Sequence, residues 1–138
     1  MNTFAQKPVA VLNKSIEPGK VMNALAHMCL GLGALMGKDT LELIDYHDQS
    51  GALHCHISKM PLIILAANSN KISQLRMEAV SQQIPFVDFV DTMTVGTYQE
   101  QLKRTAQTAP ENLIYYGITL LGEWESVTAL TRKFSLWK

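Results

Sequence analysis

The sequence predicts a three-layer α/β/α domain built on a mixed, mostly parallel sheet of four strands. Short apolar segments of strand length alternate along the chain with amphipathic segments of helix length, and this alternation is typical of helices layered on a mainly parallel or mixed sheet. No repeat, linker or low-complexity segment interrupts the pattern, and 138 residues suit one domain. We therefore expect residues 1–138 to form a single domain.

The first predicted strand is "KPVAVLN", residues 7–13, a short apolar run with β-branched content. Turn residues follow, and Pro18 suits the first turn of a helix because its missing N–H has no helical partner to lose. This helix is expected to run to about Gly37, a residue that favours helix ends. The flanking segments "TLELIDY" and "ALHCHIS" then predict a hairpin around "HDQSG".

The second half of the chain contains the other three strands and three helices of the prediction. "MPLIILAA" is a buried strand, and "NSNKISQLRMEAVSQQ" is an amphipathic helix that Ser69 or Asn70 can cap. "PFVDFVDTM" and "NLIYYGITLLG" predict two further strands, separated by the helix "YQEQLKRTAQ", whose mixed charges indicate a solvated face. "WESVTALTRK" predicts a last helix, and "FSLWK" is an apolar tail that must pack on something.

Composition and charge restrict the function. A hydrophobic fraction of 47% and a charged fraction of 17% are those of a soluble globular protein. Lys plus Arg and Asp plus Glu both number 12, so the net charge is zero, which argues against nucleic acid as a partner because phosphate binding needs a local excess of cations. No membrane span or signal peptide is indicated. With Cys29 and Cys55 outside any CxxC motif, we expect a cytoplasmic protein with reduced thiols.

The first predicted helix carries a line of polar residues. Lys20, Asn23 and His27 stand at positions i, i+3 and i+7, which places them on one side of a helix, away from an apolar stripe that would face the sheet. A lysine in the first turn is opposed by the helix dipole. It suits an anion instead, because the free N–H groups at a helix start and an ammonium group together favour a phosphate, a carboxylate or a developing oxyanion.

The segment "PVAVLNKSIEPGKVMNALAHMCLGLGAL" resembles the opening of the second type of peptidyl-tRNA hydrolase, the archaeal and eukaryotic type. Both have an apolar strand, a short loop, and a helix that begins Gly-Lys and carries a histidine seven residues after the lysine. "PLIILAANSNKISQLRMEAVSQQIPFVDFVD" and "LIYYGITLLG" continue the same plan. The "GKVMNALAH" helix and the closing "VTALTRKFSLW" look closer still to a group of uncharacterised bacterial proteins that share the hydrolase-like fold.

The resemblance implies a cleft for a small anionic ester or amide. Lys20 and His27 match the hydrolase Gly-Lys and histidine, while Ala24 stands where a glutamine is expected. Asp91 matches the aspartate of the Asp-Ala-Gly motif, whose other two residues differ here, and Thr94 or Thr97 stands for the threonine.

In the implied site, Lys20 would hold an anionic group, Asp91 would orient Lys20 or a water, and His27 would donate a hydrogen bond or shuttle a proton. Thr94 could position the same water. Gly19, Asn23 and Thr97 are the candidate ligand-binding residues. The zero net charge and the altered motif both argue against tRNA as the substrate.

Two other functions stay open. His54 and His56, at i and i+2 on a strand, should share one face while Cys55 points to the other. His47, Asp45 or Asp48 across the turn could complete a tetrahedral or octahedral metal site. A non-catalytic homodimeric binding module is the other alternative, because "FSLWK" would otherwise be an exposed apolar patch and "GLGALMG" has glycines that permit close packing. No Walker or dinucleotide glycine pattern is present, so no cofactor is expected.

Overall fold

The computed structural model describes residues 4–138. Its main sheet consists of β1 (Gln6–Asn13), β4 (Ile63–Ala67), β5 (Phe86–Val90), β6 (Tyr115–Glu123) and β7 (Ser135–Leu136), and β2 (Leu43–His47) and β3 (Leu53–Ser58) form a separate hairpin. The order across the main sheet is β5-β6-β1-β4-β7. The prediction of a mixed sheet is confirmed, but the sheet has five strands and not the predicted four. The fifth is the apolar tail, where Leu136 pairs with Leu65.

The sheet is mostly antiparallel, so the prediction of a mostly parallel sheet was wrong. β1 and β4 run parallel, whereas β6 runs against both β1 and β5, and β7 runs against β4. The reason lies in the helix α4 (Tyr98–Ala106), which joins β5 to β6. This helix buries none of its residues and packs on the turn just before it instead of crossing a sheet face. The chain therefore returns antiparallel beside β5.

The remaining helices cover the two faces of the sheet. They are α1 (Pro18–Met36), the single turn α2 (Lys38–Leu41), α3 (Ser69–Ser81) and α5 (Trp124–Thr131). α1 covers one face, where Val21, Ala24 and Met28 pack with Leu12 and Phe89. α3 and α5 cover the opposite face. The apolar residues that meet there are Val9, Val11, Ile72, Leu75, Ala79, Val127 and Leu130. The helices and the sheet thus form three layers.

The ends of the two longest helices follow from local chemistry. α1 begins at Pro18 and stops before Gly37, which has a φ of 80° that glycine adopts without steric cost. α3 is capped by Asn68, whose side-chain oxygen accepts from the Lys71 N–H at 2.9 Å. The predicted cap was Ser69 or Asn70. Instead the Ser69 hydroxyl accepts from the Tyr115 N–H at 2.9 Å and so fixes the start of β6.

Both aromatic residues of the C-terminal tail pack within the chain. Phe134 lies against the core on the α3 and α5 face, and Trp137 lies against the core under α1. Leu136 between them stays 62% exposed. The tail therefore does not need a second copy to cover its aromatic rings. Across residues 4–138, no helix combines the length and the apolarity needed to cross a membrane.

Candidate functional site

A large cleft opens between α1 and α4, above the ends of β5 and β6. Its volume is about 920 Å³, within the range of small-molecule sites. α1 forms one wall, the strands form the floor, and the segment from residue 93 to residue 105 forms the other wall. The lining residues are Gly19, Lys20, Asn23, His27, Met28, Val87, Asp88, Phe89, Met93, Thr94, Val95, Tyr98, Gln101, Leu102, Thr105 and Tyr116.

The α1 wall carries the predicted polar line. Gly19, Lys20, Asn23 and His27 all line the cleft, because the apolar side of α1 is turned to the sheet and leaves this side free. The Lys20 side chain is 60% exposed, and its Nζ lies 3.5 Å from Glu17 Oε1. An exposed pair of this kind contributes little. The ammonium group therefore stays available to a ligand.

The floor of the cleft is aromatic. The His27 and Phe89 ring centroids lie 6.2 Å apart, and those of Phe89 and Tyr116 lie 5.8 Å apart, so three rings form a row from the α1 wall across the floor. Tyr116 reaches this row through a bulge: Phe89 pairs with Gly117 and Val90 pairs with Tyr115, which leaves Tyr116 as an extra residue in β6. As a result Tyr116 turns to the α1 face.

The α4 wall is held by polar contacts and not by burial. The Thr97 hydroxyl accepts from the Glu100 N–H, and the Glu100 carboxylate accepts from the Thr97 N–H, which is a capping box. The same Thr97 backbone and hydroxyl groups, helped by Arg104, lower the pKa of Glu100. Arg104 also donates to the carbonyl oxygens of Thr92, at 3.1 Å, and Val95. These contacts fix the wall against the end of β5.

The inner side of the α4 wall is apolar and open. Val95, Tyr98 and Leu102 all line the cleft, yet they are 68%, 69% and 67% exposed. The mixed charges of this helix predicted a solvated outer face. Tyr98 and Leu102, at i and i+4 on an otherwise polar helix, were the signal that could have marked a ligand-facing side.

Asp91 and Thr97 lie outside the cleft lining. The Asp91 carboxylate accepts from the Ile114 N–H at 3.1 Å, and its own N–H donates to the Ile114 carbonyl at 2.9 Å, so Asp91 joins the end of β5 to the segment before β6. Thr97 serves as the cap of α4. Thr94 does line the cleft, but its hydroxyl donates to the Asp91 carbonyl at 2.6 Å. The expected contact of Asp91 with Lys20 is therefore not formed.

A second carboxylate, missed by the sequence analysis, lies at the cleft. Asp88 is a lining residue of β5, and its Oδ2 accepts from Arg76 Nε at 2.6 Å. Because this pair is internally neutral, Asp88 adds little negative potential to the cleft. Ala24, which stands at the glutamine position of the hydrolases, is fully buried among the core residues of α1.

The histidines of the hairpin do not converge. His54 Nε2 lies 2.9 Å from Asp48 Oδ2, whereas His56 Nδ1 lies 3.2 Å from Asp45 Oδ1. A register shift in the hairpin breaks the expected alternation between these residues. The predicted site of His47, His54 and His56 is therefore not assembled.

Fold and cleft together define a mixed α/β domain with one helix on one sheet face, two on the other, and an open cleft beside the single helix. The chain belongs to the family of proteins of unknown function DUF2000, whose model matches residues 6–138. Among solved structures it is similar to the protein of unknown function Atu0240 from Agrobacterium tumefaciens strain C58. That likeness has a TM-score of 0.85 at 16% identity and covers 99% of this chain and 100% of the other.

At this identity the similarity shows the fold alone. None of the curated proteins matches the sequence. The resemblance to peptidyl-tRNA hydrolases of the second type stays a prediction.

Proposed function

We propose that the cleft binds a small organic anion with an apolar or aromatic body. The observation that carries this proposal is the combination of an exposed ammonium group, Lys20, on one wall with exposed apolar side chains on the other. A ligand of this kind would satisfy both at once. We place its charged group near Lys20 and its apolar body between α4 and the aromatic floor.

The electrostatics of the α1 end favour an anion. The first turn of α1 contains no acidic residue, and the helix dipole adds a partial positive charge beside Lys20. Asp88, the other charged residue of the lining, is paired with Arg76. The pair between Lys20 and Glu17 is longer, at 3.5 Å, and more exposed, so Lys20 is the lining residue that offers positive charge to an anion, although the whole chain has a net charge of zero.

The apolar wall supplies the second half of the argument. Exposed apolar groups that lie together in a cleft commonly mark a binding site. A ligand that covers Val95, Tyr98 and Leu102 removes their apolar area from water, at about 25 cal/mol for each Å² buried. Phe89 and Tyr116 offer ring faces to an aromatic ligand.

Hydrolysis of an anionic ester or amide is the second candidate. It rests on His27, which lines the same wall as Lys20 two turns further along α1 and could act as a general base. Asp91, the predicted carboxylate of this site, accepts from the Ile114 N–H and lies outside the cleft lining. Binding without turnover is the simpler function of the cleft.

The test uses 8-anilinonaphthalene-1-sulfonate, a small aromatic anion whose fluorescence rises on binding, and N-phenyl-1-naphthylamine, which has the same rings without the sulfonate. We expect Lys20→Ala to weaken the binding of the anionic probe by about two- to fivefold, the equivalent of roughly 0.4–1 kcal/mol, and to leave the binding of the neutral probe unchanged. Leu102→Ser should weaken the binding of both probes. Lys14→Ala, which changes an exposed lysine outside the cleft lining, is the matched control.

The proposal fails if Lys20→Ala and Lys14→Ala have the same affinity for the anionic probe. It also fails if wild type and Lys20→Ala have the same affinity for each of the two probes. Near-ultraviolet circular dichroism of each variant excludes binding to a partly unfolded state. The same variants test catalysis. Release of nitrophenolate from a monoanionic aryl ester that disappears in His27→Ala would add hydrolysis to binding.

A further inference from the structure

The hairpin of β2 and β3 stands apart from the main sheet, and its residues from Ile44 to Ile57 are exposed on both faces. It is anchored at its base, where the Lys59 N–H donates to the Glu42 carbonyl at 3.0 Å. Its side chains take no part in the cleft described above. Two-stranded hairpins have little stability of their own in water, so a bound group that links the two strands would stabilise it.

A β-bulge changes which side chains of the hairpin share a face. Ile44 pairs with Ile57 and Tyr46 pairs with His54. Asp45 of β2 therefore faces two residues of β3, Cys55 and His56, where a regular ladder would give one. This is why the expectation that Cys55 points away from His56 was wrong.

The bulge brings three different metal-binding atoms together. His56 Nδ1 lies 3.2 Å from Asp45 Oδ1 and 3.8 Å from Cys55 Sγ, and all three ligand atoms lie within 4.8 Å of one another. Zn–N, Zn–O and Zn–S bonds at tetrahedral angles place the ligand atoms about 3.4–3.6 Å apart. The two separations from His56 Nδ1 are within a few tenths of an ångström of these values, and the Asp45 oxygen and the Cys55 sulfur are at most 4.8 Å apart, so side-chain rotations would bring all three atoms onto one ion.

The orientation of the imidazole also fits a cation. The same nitrogen of His56, Nδ1, faces both the Asp45 carboxylate and the Cys55 sulfur. In a catalytic relay the two partners would sit on opposite ring nitrogens, so the cluster is not arranged as a nucleophile with its base. A metal ion between the three atoms would instead use the Nδ1 lone pair, the carboxylate and a thiolate together.

We propose that Asp45, Cys55 and His56 form a zinc-binding site on the hairpin. Mixed sulfur, nitrogen and oxygen ligands suit a borderline-soft ion such as Zn²⁺ better than Mg²⁺ or Ca²⁺. Three protein ligands leave one tetrahedral position, which water fills on an exposed surface. On binding, Cys55 releases its thiol proton to solvent and coordinates as the thiolate.

The test is a titration of the metal-free protein with Co²⁺ in a non-chelating reductant, followed by displacement with Zn²⁺. We expect one Co²⁺ per chain and a near-ultraviolet charge-transfer band from thiolate to cobalt, which Zn²⁺ abolishes. Cys55→Ser should remove the band. His56→Ala and Asp45→Asn should each weaken Co²⁺ binding at least tenfold, since even the loss of an outer partner of a metal ligand costs about 10–100-fold.

Two matched controls separate this cluster from its neighbours. Cys29→Ser removes the other thiol of the described chain, and His54→Ala removes the histidine that bonds to Asp48. Both should keep the band and the affinity for Co²⁺. The proposal is overturned if wild type shows no saturable binding, if the band survives Cys55→Ser, or if either control weakens binding as much as His56→Ala does. Melting temperatures measured without metal check that each variant is folded.

Discussion

Gly117 sets how closely α1 approaches the sheet. A Cβ atom at this position would lie 2.8 Å from Met28 Cε, 2.9 Å from Leu12 Cδ2 and 3.1 Å from the Val11 carbonyl oxygen. We expect Gly117→Ala to lower the free energy of unfolding by about 1–3 kcal/mol, because the core must shift to admit the methyl group. Denaturation in urea measures the loss.

The matched control for this substitution is Gly19→Ala in the first turn of α1. Nothing lies within 4 Å of a Cβ atom there, and alanine favours a helix more than glycine does. Stability should be unchanged or rise by up to about 1 kcal/mol. Equal destabilisation by the two alanines would show that the close approach at Gly117 is not the cause.

Asp48 ties the turn of the hairpin together through its carboxylate. The Ser50 hydroxyl, then His54, then the Ala52 N–H lower the pKa of Asp48 from 3.8 to about 2. The pKa of Asp48 is lower in the folded state than in the unfolded state. The ionised carboxylate therefore stabilises the turn fully above the unfolded-state pKa, and this stabilisation is lost as the pH falls through about 2. We expect the Ser50 and Ala52 amide resonances to titrate near pH 2. A midpoint close to 3.8 would contradict these contacts.

The sequence identified some residues of the cleft and not others, for physical reasons. Lys20, Asn23 and His27 share one helix, and the helical period alone places them on one side. Asp91 and Thr97 were assigned through a motif in a loop, where hydrogen bonds to Ile114 and Glu100 decide the direction of each side chain. The bond from Ile114 to Asp91 joins residues distant in the sequence, so no local pattern reports it. Thr97 and Glu100 have the spacing of a capping box, which is a local signal that could have assigned Thr97 to the start of α4.

At the scale of elements, α4 is held mainly by its two ends. It buries none of its residues, and its capping box at Thr97 and the bonds from Arg104 replace the packing that holds other helices. We expect Thr97→Ala to cost about 1 kcal/mol of local stability. Hydrogen exchange in α4 should accelerate severalfold while exchange in α3 stays unchanged.

The same experiment has a control on another helix. Glu123 caps α5 by accepting from the N–H groups of Glu125 and Ser126, but α5 also buries Val127, Leu130 and Thr131. Glu123→Ala should therefore leave exchange in the middle of α5 slow. If exchange in α4 does not respond to Thr97→Ala, the packing of α4 on the preceding turn, and not its cap, holds the wall.

The strands and helices were predicted well, and the bulges were not. Periodicity placed β1, β4, β5, β6 and all four long helices close to their observed bounds. The bulges at Tyr116 and at Cys55 and His56 each insert one residue and reverse the alternation beyond it. No local pattern of apolar residues marks a bulge, because its position depends on how two strands pair.

At the scale of the whole molecule, the C-terminal tail completes the sheet. Trp137 is half-buried against the core under α1, so Trp137→Ala should cost about 2 kcal/mol, roughly half the loss for a fully buried tryptophan. Leu136→Ala, with 62% of the side chain exposed, is the adjacent control and should cost less than about 0.5 kcal/mol. Thermal melts of the two variants compare them.

The same pair of variants tests the predicted homodimer. If a second copy covers the tail, Leu136→Ala should lower the mass measured by light scattering, although it barely changes the stability of the monomer. A homodimer was predicted because the sequence contains an apolar tail, and the sequence alone does not show where this tail packs. Strand order, which brings β7 beside β4, is set by contacts between distant segments and was beyond the reach of local patterns.

The position of β1 at the centre of the sheet controls the order in which the protein can assemble. Val9 pairs with Ile63 on one side and with Leu120 on the other, so β1 waits for a partner that is synthesised long after it. Pairing across such long sequence separations is slow. A nascent chain on the ribosome keeps one side of β1 unpaired until β6 has emerged. A chain that stops before Tyr115 lacks β6 and so cannot complete the centre of the sheet.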